Sequence, residues 1–217
     1  MAVKFLDLRK QTASLRAEIE PAIARILENA RFIGGDEVER FEQEFGAFVG
    51  ASALGVGNGT DALEIAIQAL NLPKDSEVLL PANTFAASAE AVARNQLRLV
   101  FVDCDSTYTM DIADLERKIT PQTSAIMAVH LYGQSADMHA ICTLAKQHNL
   151  RIIEDCAQAH GATFAGQKVG TFGEIACFSF YPGKNLGAYG DAGAIVSKDS
   201  ALLSVCRQIA HHGGLQK

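Results

Sequence analysis

The chain has 217 residues, of which 48% are hydrophobic, and a formal net charge of −6. It is long enough to bury a sizeable core, and its acidic balance without a basic run argues against nucleic acid or an anionic membrane surface as a partner. The five cysteines are scattered without a CxxC pair, which predicts neither a disulfide framework nor a zinc site and favours a reducing cytoplasm. No membrane span or signal peptide is predicted.

The first 50 residues predict an N-terminal arm followed by helices. Asp36 can cap a helix over residues 37–49, where Val38, Phe41 and Phe45 recur at intervals of three and four residues. This spacing places apolar side chains on one helix face, so we expect them to serve packing.

From residue 51 onward, short apolar runs alternate with stretches of helix length, which is typical of an α/β fold. We predict a three-layer α/β/α domain over residues 51–217 with a mostly parallel, seven-stranded sheet. Ligands of such folds bind at the carboxyl ends of the strands, so the residues that follow each run are the candidates for a site. The predicted strands are residues 53–56, 77–80, 97–102, 124–129, 151–154, 175–179 and 194–197.

Glycine, hydroxyl and aromatic residues follow the first two strands. Gly59 and Thr60 open a helix whose free backbone amides form an anion site suited to phosphate, although an ordinary capped helix start has the same pattern. Phe85 could stack on a planar ring or join the core. Asp103 and Asp105 follow the third strand, but no further ligand stands at useful spacing, so no metal site is predicted.

An acid, a hydroxyl and an amine follow the fifth and sixth strands. Asp155 ends a buried strand, where a carboxylate is costly unless it meets a cation or a donor such as a protonated ring nitrogen. Ser179 closes the next strand, and Lys184 lies in the glycine-rich turn after it. Apolar neighbours would lower the pKa of the Lys184 amine and favour its use as a nucleophile, whereas the turn taken alone favours an ordinary surface lysine.

All of these groups fall at strand ends of one sheet. A phosphate cradle, an aromatic side chain, an acid, a hydroxyl and an amine together suit a ligand with a phosphate, a planar ring, a pyridine nitrogen and an aldehyde. The combination predicts a site for pyridoxal 5'-phosphate.

Five stretches also resemble one known family. They are FIGGDEVERFEQEFGAFVG, GVGNGTDALEIAIQAL, PANTFAASAEAV, IIEDCAQAHGA and FSFYPGKNLGAYGDAGAI. In this order they are similar to the DegT/DnrJ/EryC1/StrS nucleotide-sugar aminotransferases, within the fold-type I pyridoxal-phosphate enzymes. The resemblance extends from Asp7 to Gly213.

The resemblance implies roles for seven residues. Lys184 would hold the cofactor covalently, Asp155 its pyridine nitrogen and Gln158 its ring hydroxyl; Phe85 would stack on the ring, and Gly59, Thr60 and Ser179 would bind the phosphate. The implied reaction moves an amino group, from glutamate in most of the family, to a nucleotide-linked keto-sugar in amino-sugar biosynthesis for surface polysaccharide or secondary metabolites. The run from Lys184 to Asp191 is more similar to members that act on 3-keto sugars. A homodimer with a site shared between subunits is also implied.

Two alternatives accompany this reading. Related sugar dehydratases carry histidine where Lys184 stands, so the lysine favours amino transfer over dehydration. Family members typically continue into a C-terminal small domain, which we expect to be absent from this chain. The second alternative is therefore a truncated or non-catalytic relative that serves as a dimerising or regulatory module.

Overall fold

The computed structural model describes residues 3–214, so the outer ends of the predicted segments, residues 1–2 and 215–217, lie outside the described residues. The chain forms two compact units, Met1–Phe41 and Glu42–Lys217. The predicted boundary after residue 50 differs from the boundary between these units by nine residues, 42–50, which are the end of one helix and the glycine that follows it.

The first unit is built on helix α1, Leu8–Asn29. The Asp7 side chain caps it by accepting a hydrogen bond of 3.1 Å from the backbone N–H of Lys10. Helix α2, Asp36–Val49, begins at the residue expected to cap it, and its acidic first turn suits the positive end of the helix dipole. The second half of α2 belongs to the second unit, where Phe45 and Val49 are buried.

The second unit contains a seven-stranded sheet within the described residues. Its strands are β1 Ser52–Val56, β2 Glu77–Pro81, β3 Arg98–Val102, β4 Thr123–Val129, β5 Arg151–Asp155, β8 Ile175–Ser179 and β9 Gly193–Ser197; a separate hairpin joins β6 Thr163–Phe164 and β7 Gln167–Lys168. The order in the sheet is β1-β9-β8-β5-β4-β2-β3, and within it β9 alone runs antiparallel to its neighbours, β1 and β8. The predicted mostly parallel sheet of seven strands is confirmed.

Helices cover both faces of this sheet and make the fold three-layered. One face carries α3 Gly59–Ala69, α4 Ala86–Arg94 and α7 Ser200–Ala210; the other carries α5 Ile112–Lys118 and α6 Met138–His148. Successive residues of each strand serve opposite faces: Met127 and Ile153 join the α3 side, whereas Ile126 and Ile152 join the α6 side. The five central strands are therefore buried on both faces, as their continuous apolar runs predicted, whereas the edge strand β3 stays partly exposed.

Six of the seven strands share one direction, so their carboxyl ends meet along one edge, where ligands bind in folds of this kind. A short 3₁₀ helix, Leu131–Gly133, follows β4 at this edge. Among residues 3–214, none of the helices combines the length and apolarity that a membrane span requires.

Candidate active site

A cavity of about 770 Å³ opens at the carboxyl edge of the sheet. Its walls come from the start of α3, from the segments that follow β2, β4 and β5, and from the loop between β8 and β9. All seven residues predicted for the site line this one cavity: Gly59, Thr60, Phe85, Asp155, Gln158, Ser179 and Lys184.

The N-terminus of α3 and the end of β8 form one wall. The Asn58 side chain caps the helix by accepting a hydrogen bond of 2.8 Å from the Asp61 amide. A Cβ atom at Gly59 would lie only 2.7 Å from the Cβ of Ser179 and 3.2 Å from its hydroxyl oxygen. Only glycine therefore lets the first helical turn and this hydroxyl meet, and together they present amide and hydroxyl donors at the positive end of the helix dipole.

Asp155 is held from two sides at the end of β5. Its Oδ1 accepts a hydrogen bond of 3.1 Å from the Ala157 amide, and its Oδ2 accepts one of 2.8 Å from the Ser88 hydroxyl. The residue is 6% exposed and lines the cavity. This arrangement fixes an acceptor group toward the cavity, where a cationic or N–H donor would complement it.

Gln158 and Phe85 both line the cavity, but the side chain of Gln158 is held by a hydrogen bond whereas that of Phe85 is largely exposed. The side-chain Oε1 of Gln158 accepts a hydrogen bond of 2.9 Å from the Tyr132 amide, which leaves its Nε2 group as a donor for a ligand. Phe85 precedes α4 and remains 70% exposed. A large aromatic side chain left this open at a cavity wall offers a flat surface on which a planar ligand can stack.

Lys184 lies in a tight loop between β8 and β9. Its backbone amide donates to the Tyr181 carbonyl at 2.8 Å, and a Cβ at Gly187 would lie 2.3 Å from the Pro182 carbonyl oxygen, so the loop depends on glycine there. Burial lowers the pKa of the Lys184 amine from its ordinary value, and the negative charge of Asp155 offsets part of this effect. The predicted lowering of this pKa is confirmed in direction.

The aromatic residues that precede Lys184 in the sequence divide into two groups. Phe178 and Phe180 are buried and meet the ring of Phe45 edge-on at 5.0 and 5.1 Å between ring centroids, so they belong to the core. Tyr181 lines the cavity but is 60% exposed. The sequence predicted apolar neighbours for the lysine without indicating which side of the strand each one faces.

His160 lies against this aromatic cluster, with its ring centroid 5.5 Å from that of Phe178 and 5.3 Å from that of Phe180. Among the described residues, neither of its buried ring nitrogens has a hydrogen-bond partner of good geometry, although the Ser179 backbone lies near enough to favour protonation slightly. Burial lowers the pKa of His160 to about 4, and the positive charge of Lys184 contributes in the same direction. The ring is therefore neutral at physiological pH.

Two further groups near the site were not predicted. Ser88 carries a polar group on the otherwise apolar face of α4, where Ala87, Ala91 and Val92 are buried, and this break in the pattern is the signal that could have identified it. Glu154 is fully buried behind Asp155 and gave no comparable signal.

Glu154 is paired within the core. It lies 3.1 Å from His130 Nε2 and accepts hydrogen bonds from the backbone amides of Gly170, Phe172 and Gly173. Burial raises the pKa of its carboxyl, but the hydrogen bonds from His130 and from these amides outweigh burial, so the pKa lies below the ordinary value.

The group His130, Glu154 and Cys156 brings three atoms of metal-binding types within 4.8 Å of one another. His130 Nδ1 accepts from the Ala136 amide at 3.1 Å, so Nε2 carries the hydrogen that points to Glu154. Burial also raises the pKa of the Cys156 thiol, which keeps it protonated. The hydrogen bonds of His130 and Glu154 are therefore satisfied within the protein, and the cluster is a structural network.

The fold is that of the large domain of the fold-type I pyridoxal-phosphate-dependent transferases. The crystal structure of Streptomyces venezuelae DesV in complex with a ketimine intermediate matches it with a TM-score of 0.96 and 44% sequence identity, over 99% of this chain and 58% of that one. NtdA from Bacillus subtilis, solved with its bound cofactor PMP, matches with a TM-score of 0.90 and 33% identity, over 96% of this chain and 48% of that one.

The chain belongs to the DegT/DnrJ/EryC1/StrS aminotransferase family, which it matches over residues 13–217. A UDP-N-acetyl-3-dehydro-alpha-D-glucosamine 3-aminotransferase of Acidithiobacillus ferrooxidans is 48% identical to it, over 99% of this chain and 59% of that protein. The chain thus spans less than two thirds of the length of these relatives, and the predicted family membership is confirmed.

Proposed function

We propose that the chain is the cofactor-binding part of a pyridoxal-phosphate-dependent aminotransferase that moves an amino group from an amino acid to a nucleotide-linked keto-sugar. The observation that carries this proposal is that one cavity is lined by a half-buried amine at Lys184, a fixed acid at Asp155 and the glycine-dependent anion cradle at Gly59. The proposed domain is residues 51–217, as the sequence predicted.

The cradle at the start of α3 fits the phosphate of this cofactor. A side chain at Gly59 would fill the space between the helix and Ser179, so the absence of one preserves a concave donor surface. The hydroxyl oxygen of Ser179 accepts a hydrogen bond of 3.3 Å from the Tyr181 amide, which leaves its hydrogen for an anion. With the Thr60 hydroxyl and the amides of the first helical turn, this donor set suits a phosphate dianion.

The opposite wall fits a pyridine ring. Asp155 would hold the protonated ring nitrogen, Gln158 Nε2 would donate to the ring hydroxyl oxygen, and Phe85 would cover one face of the ring. When bound, the cofactor supplies an aldehyde that takes up the amino group and a ring that accepts electrons.

Lys184 provides the amine for covalent attachment and, once released, the base for proton transfer. Its lowered pKa increases the fraction of free amine at neutral pH, so Nζ can take a proton from the α-carbon of the amino donor and deliver one to the sugar carbon that receives the amino group. A histidine cannot form the covalent attachment, so the lysine favours amino transfer over dehydration.

Glutamate is the proposed donor and a 3-keto sugar the proposed acceptor. The acceptor position is supported by the 3-aminotransferase relative and by the run from Lys184 to Asp191, which is similar to family members with 3-keto substrates. Such a reaction belongs to amino-sugar biosynthesis for surface polysaccharide or secondary metabolites.

A cytoplasmic homodimer with a shared site is the proposed assembly. All five cysteines are free, which suits a reducing compartment. Phe85 and Tyr181 line the cavity and yet remain 70% and 60% exposed, so the cavity mouth has room for a second chain to cover them.

The experiment that tests the proposed function is titration of the 217-residue chain with pyridoxal 5'-phosphate, followed by borohydride reduction and peptide mapping. We expect a new visible absorbance band and a label on Lys184. Lys184→Arg should abolish both, whereas Lys74→Arg, at an exposed lysine outside the cavity, should leave both unchanged.

A label on other lysines, or a band that persists in Lys184→Arg, would contradict the assignment. With the band established, addition of glutamate should bleach it and release 2-oxoglutarate. Cofactor binding without either change would favour a non-catalytic, dimerising or regulatory role for this chain.

A further inference from the structure

A chain of hydroxyl groups leads from the cavity wall to the buried side of Asp155. The Thr84 and Ser88 hydroxyl oxygens are 2.7 Å apart, and the Ser88 hydroxyl lies 2.8 Å from Asp155 Oδ2. Thr84 follows β2 and lines the cavity, whereas Ser88 is fully buried on α4. Thr84 and Ser88 are four residues apart in sequence, whereas Asp155 is 67 residues from Ser88 and meets it only in the folded chain.

The direction of each hydrogen bond in this chain follows from the chemistry of its last member. An ionised carboxylate can only accept, so the single hydroxyl hydrogen of Ser88 is committed to Asp155. Ser88 Oγ must then be the acceptor in its contact with Thr84, whose hydrogen points inward to Ser88. Every hydrogen in the relay therefore points toward Asp155.

This arrangement has two consequences for the carboxylate. Because Ser88 binds Oδ2 and the Ala157 amide binds Oδ1, rotation of the carboxylate is blocked at both oxygens. Both contacts are donors to the carboxylate oxygens, in a place where the residue is only 6% exposed. The two donors therefore hold the carboxylate in one orientation, in which a cation in the cavity can meet it.

We propose that Ser88 is a positioning residue for Asp155 and tunes its interaction with the ring nitrogen of the cofactor, with Thr84 as the outer member of the relay. This inference rests on the proposed function, because it assumes that a protonated pyridine nitrogen faces Asp155. If the inference is right, loss of the Ser88 hydroxyl affects the interaction with one atom of the ligand, the ring nitrogen. A side chain that served only packing would affect the binding of any ligand of the same shape.

The test uses two ligands that differ at that atom: pyridoxal 5'-phosphate and its 1-deaza analogue, in which carbon replaces the ring nitrogen. Dissociation constants of both are measured for the 217-residue chain and for Ser88→Ala. We expect Ser88→Ala to raise the dissociation constant of pyridoxal phosphate by about tenfold or more, which corresponds to the loss of one charge-assisted hydrogen bond. The dissociation constant of the deaza analogue should change by less than about threefold.

Two further variants complete the test. Ser88→Cys keeps a side chain of similar size and a weak donor, so its affinity for pyridoxal phosphate should lie between those of wild type and Ser88→Ala. If the alanine variant folds poorly, the cysteine variant should still bind pyridoxal phosphate more weakly than wild type. Thr84→Val removes the outer hydroxyl alone. It should reduce the affinity for pyridoxal phosphate by a smaller factor than Ser88→Ala does, and should again affect pyridoxal phosphate more than the deaza analogue.

An equal loss for both ligands would overturn the proposal, because Ser88 would then support only the shape of the cavity. Unchanged binding of both ligands to Ser88→Ala and Ser88→Cys would overturn it as well. Failure of the proposed function itself would look different, since the wild-type chain would then bind neither ligand.

Discussion

Substitution of Gly59 by alanine should open the proposed phosphate cradle. The new Cβ would lie 2.7 Å from the Cβ of Ser179, whereas carbon atoms in contact are about 3.5–4.0 Å apart, so the two elements must separate by about 1 Å. Overpacking of this kind costs about 1–3 kcal/mol. If the full cost falls on closing the cradle around the phosphate, the dissociation constant of pyridoxal 5'-phosphate should rise by about 5- to 150-fold.

The assay compares pyridoxal 5'-phosphate with pyridoxal, which lacks the phosphate. Gly59→Ala should lose affinity for the first ligand and retain its weak affinity for the second. Gly190→Ala is the matched control, because a Cβ at Gly190 meets nothing within 4 Å and the residue also lies near the site, in the lysine loop. A Gly59→Ala chain that keeps the wild-type preference for the phosphorylated ligand would refute the assignment of the cradle.

Two predictions concern stability. Because burial lowers the pKa of His160 to about 4, the unfolded chain binds a proton that the folded chain does not bind between about pH 4 and pH 6.5, so the free energy of unfolding should rise with pH over this interval. His160→Phe should flatten that rise in urea titrations; an unchanged slope would show that the ring is not the source. Glu154→Ala removes the acceptor for three backbone amides of residues 170–173 and should cost about 3 kcal/mol or more at about 1–3 kcal/mol per unpaired donor. The control variant Glu116→Ala, at an exposed position, should change the free energy of unfolding by less than about 0.5 kcal/mol. An equally small effect of Glu154→Ala would contradict the structural role of Glu154 as the acceptor for these amides.

The strands and the cavity residues could be predicted because their signals are local. The apolar run predicted as a strand over residues 53–56 is β1, Ser52–Val56, and Gly59, predicted to open a helix, is the first residue of α3. Asp155 is the last residue of β5, and Gly59 and Lys184 lie within five residues after the ends of β1 and β8. Because the carboxyl ends of parallel strands lie along one edge of a sheet, the shared strand direction was enough to predict that these residues lie at the same edge.

The supporting contacts could not be predicted because they join distant parts of the chain. Ser88 and Asp155 are 67 residues apart, and their hydrogen bond depends on how far α4 rotates toward β5. Phe180 shows the same limit: it is close to Lys184 in sequence, yet its ring packs with Phe45 on α2. Local patterns predict which residues reach the edge of the sheet, whereas packing between helices decides what lies behind them.

The reversed direction of β9 has a consequence for motion. Ser179 and Gly193 are paired across β8 and β9, and the loop that carries Lys184 closes directly between them. Both strands are interior, since β5 and β1 lie on their outer sides. The ends of the lysine loop can therefore separate only if the middle of the sheet opens, an event that belongs to the slowest class of hydrogen exchange. The amide hydrogens of the strand residues that flank the loop should therefore exchange more slowly than those of the 3₁₀ helix at residues 131–133. Lys184 can then move with the tip of the loop while the two ends of the loop stay fixed in the sheet.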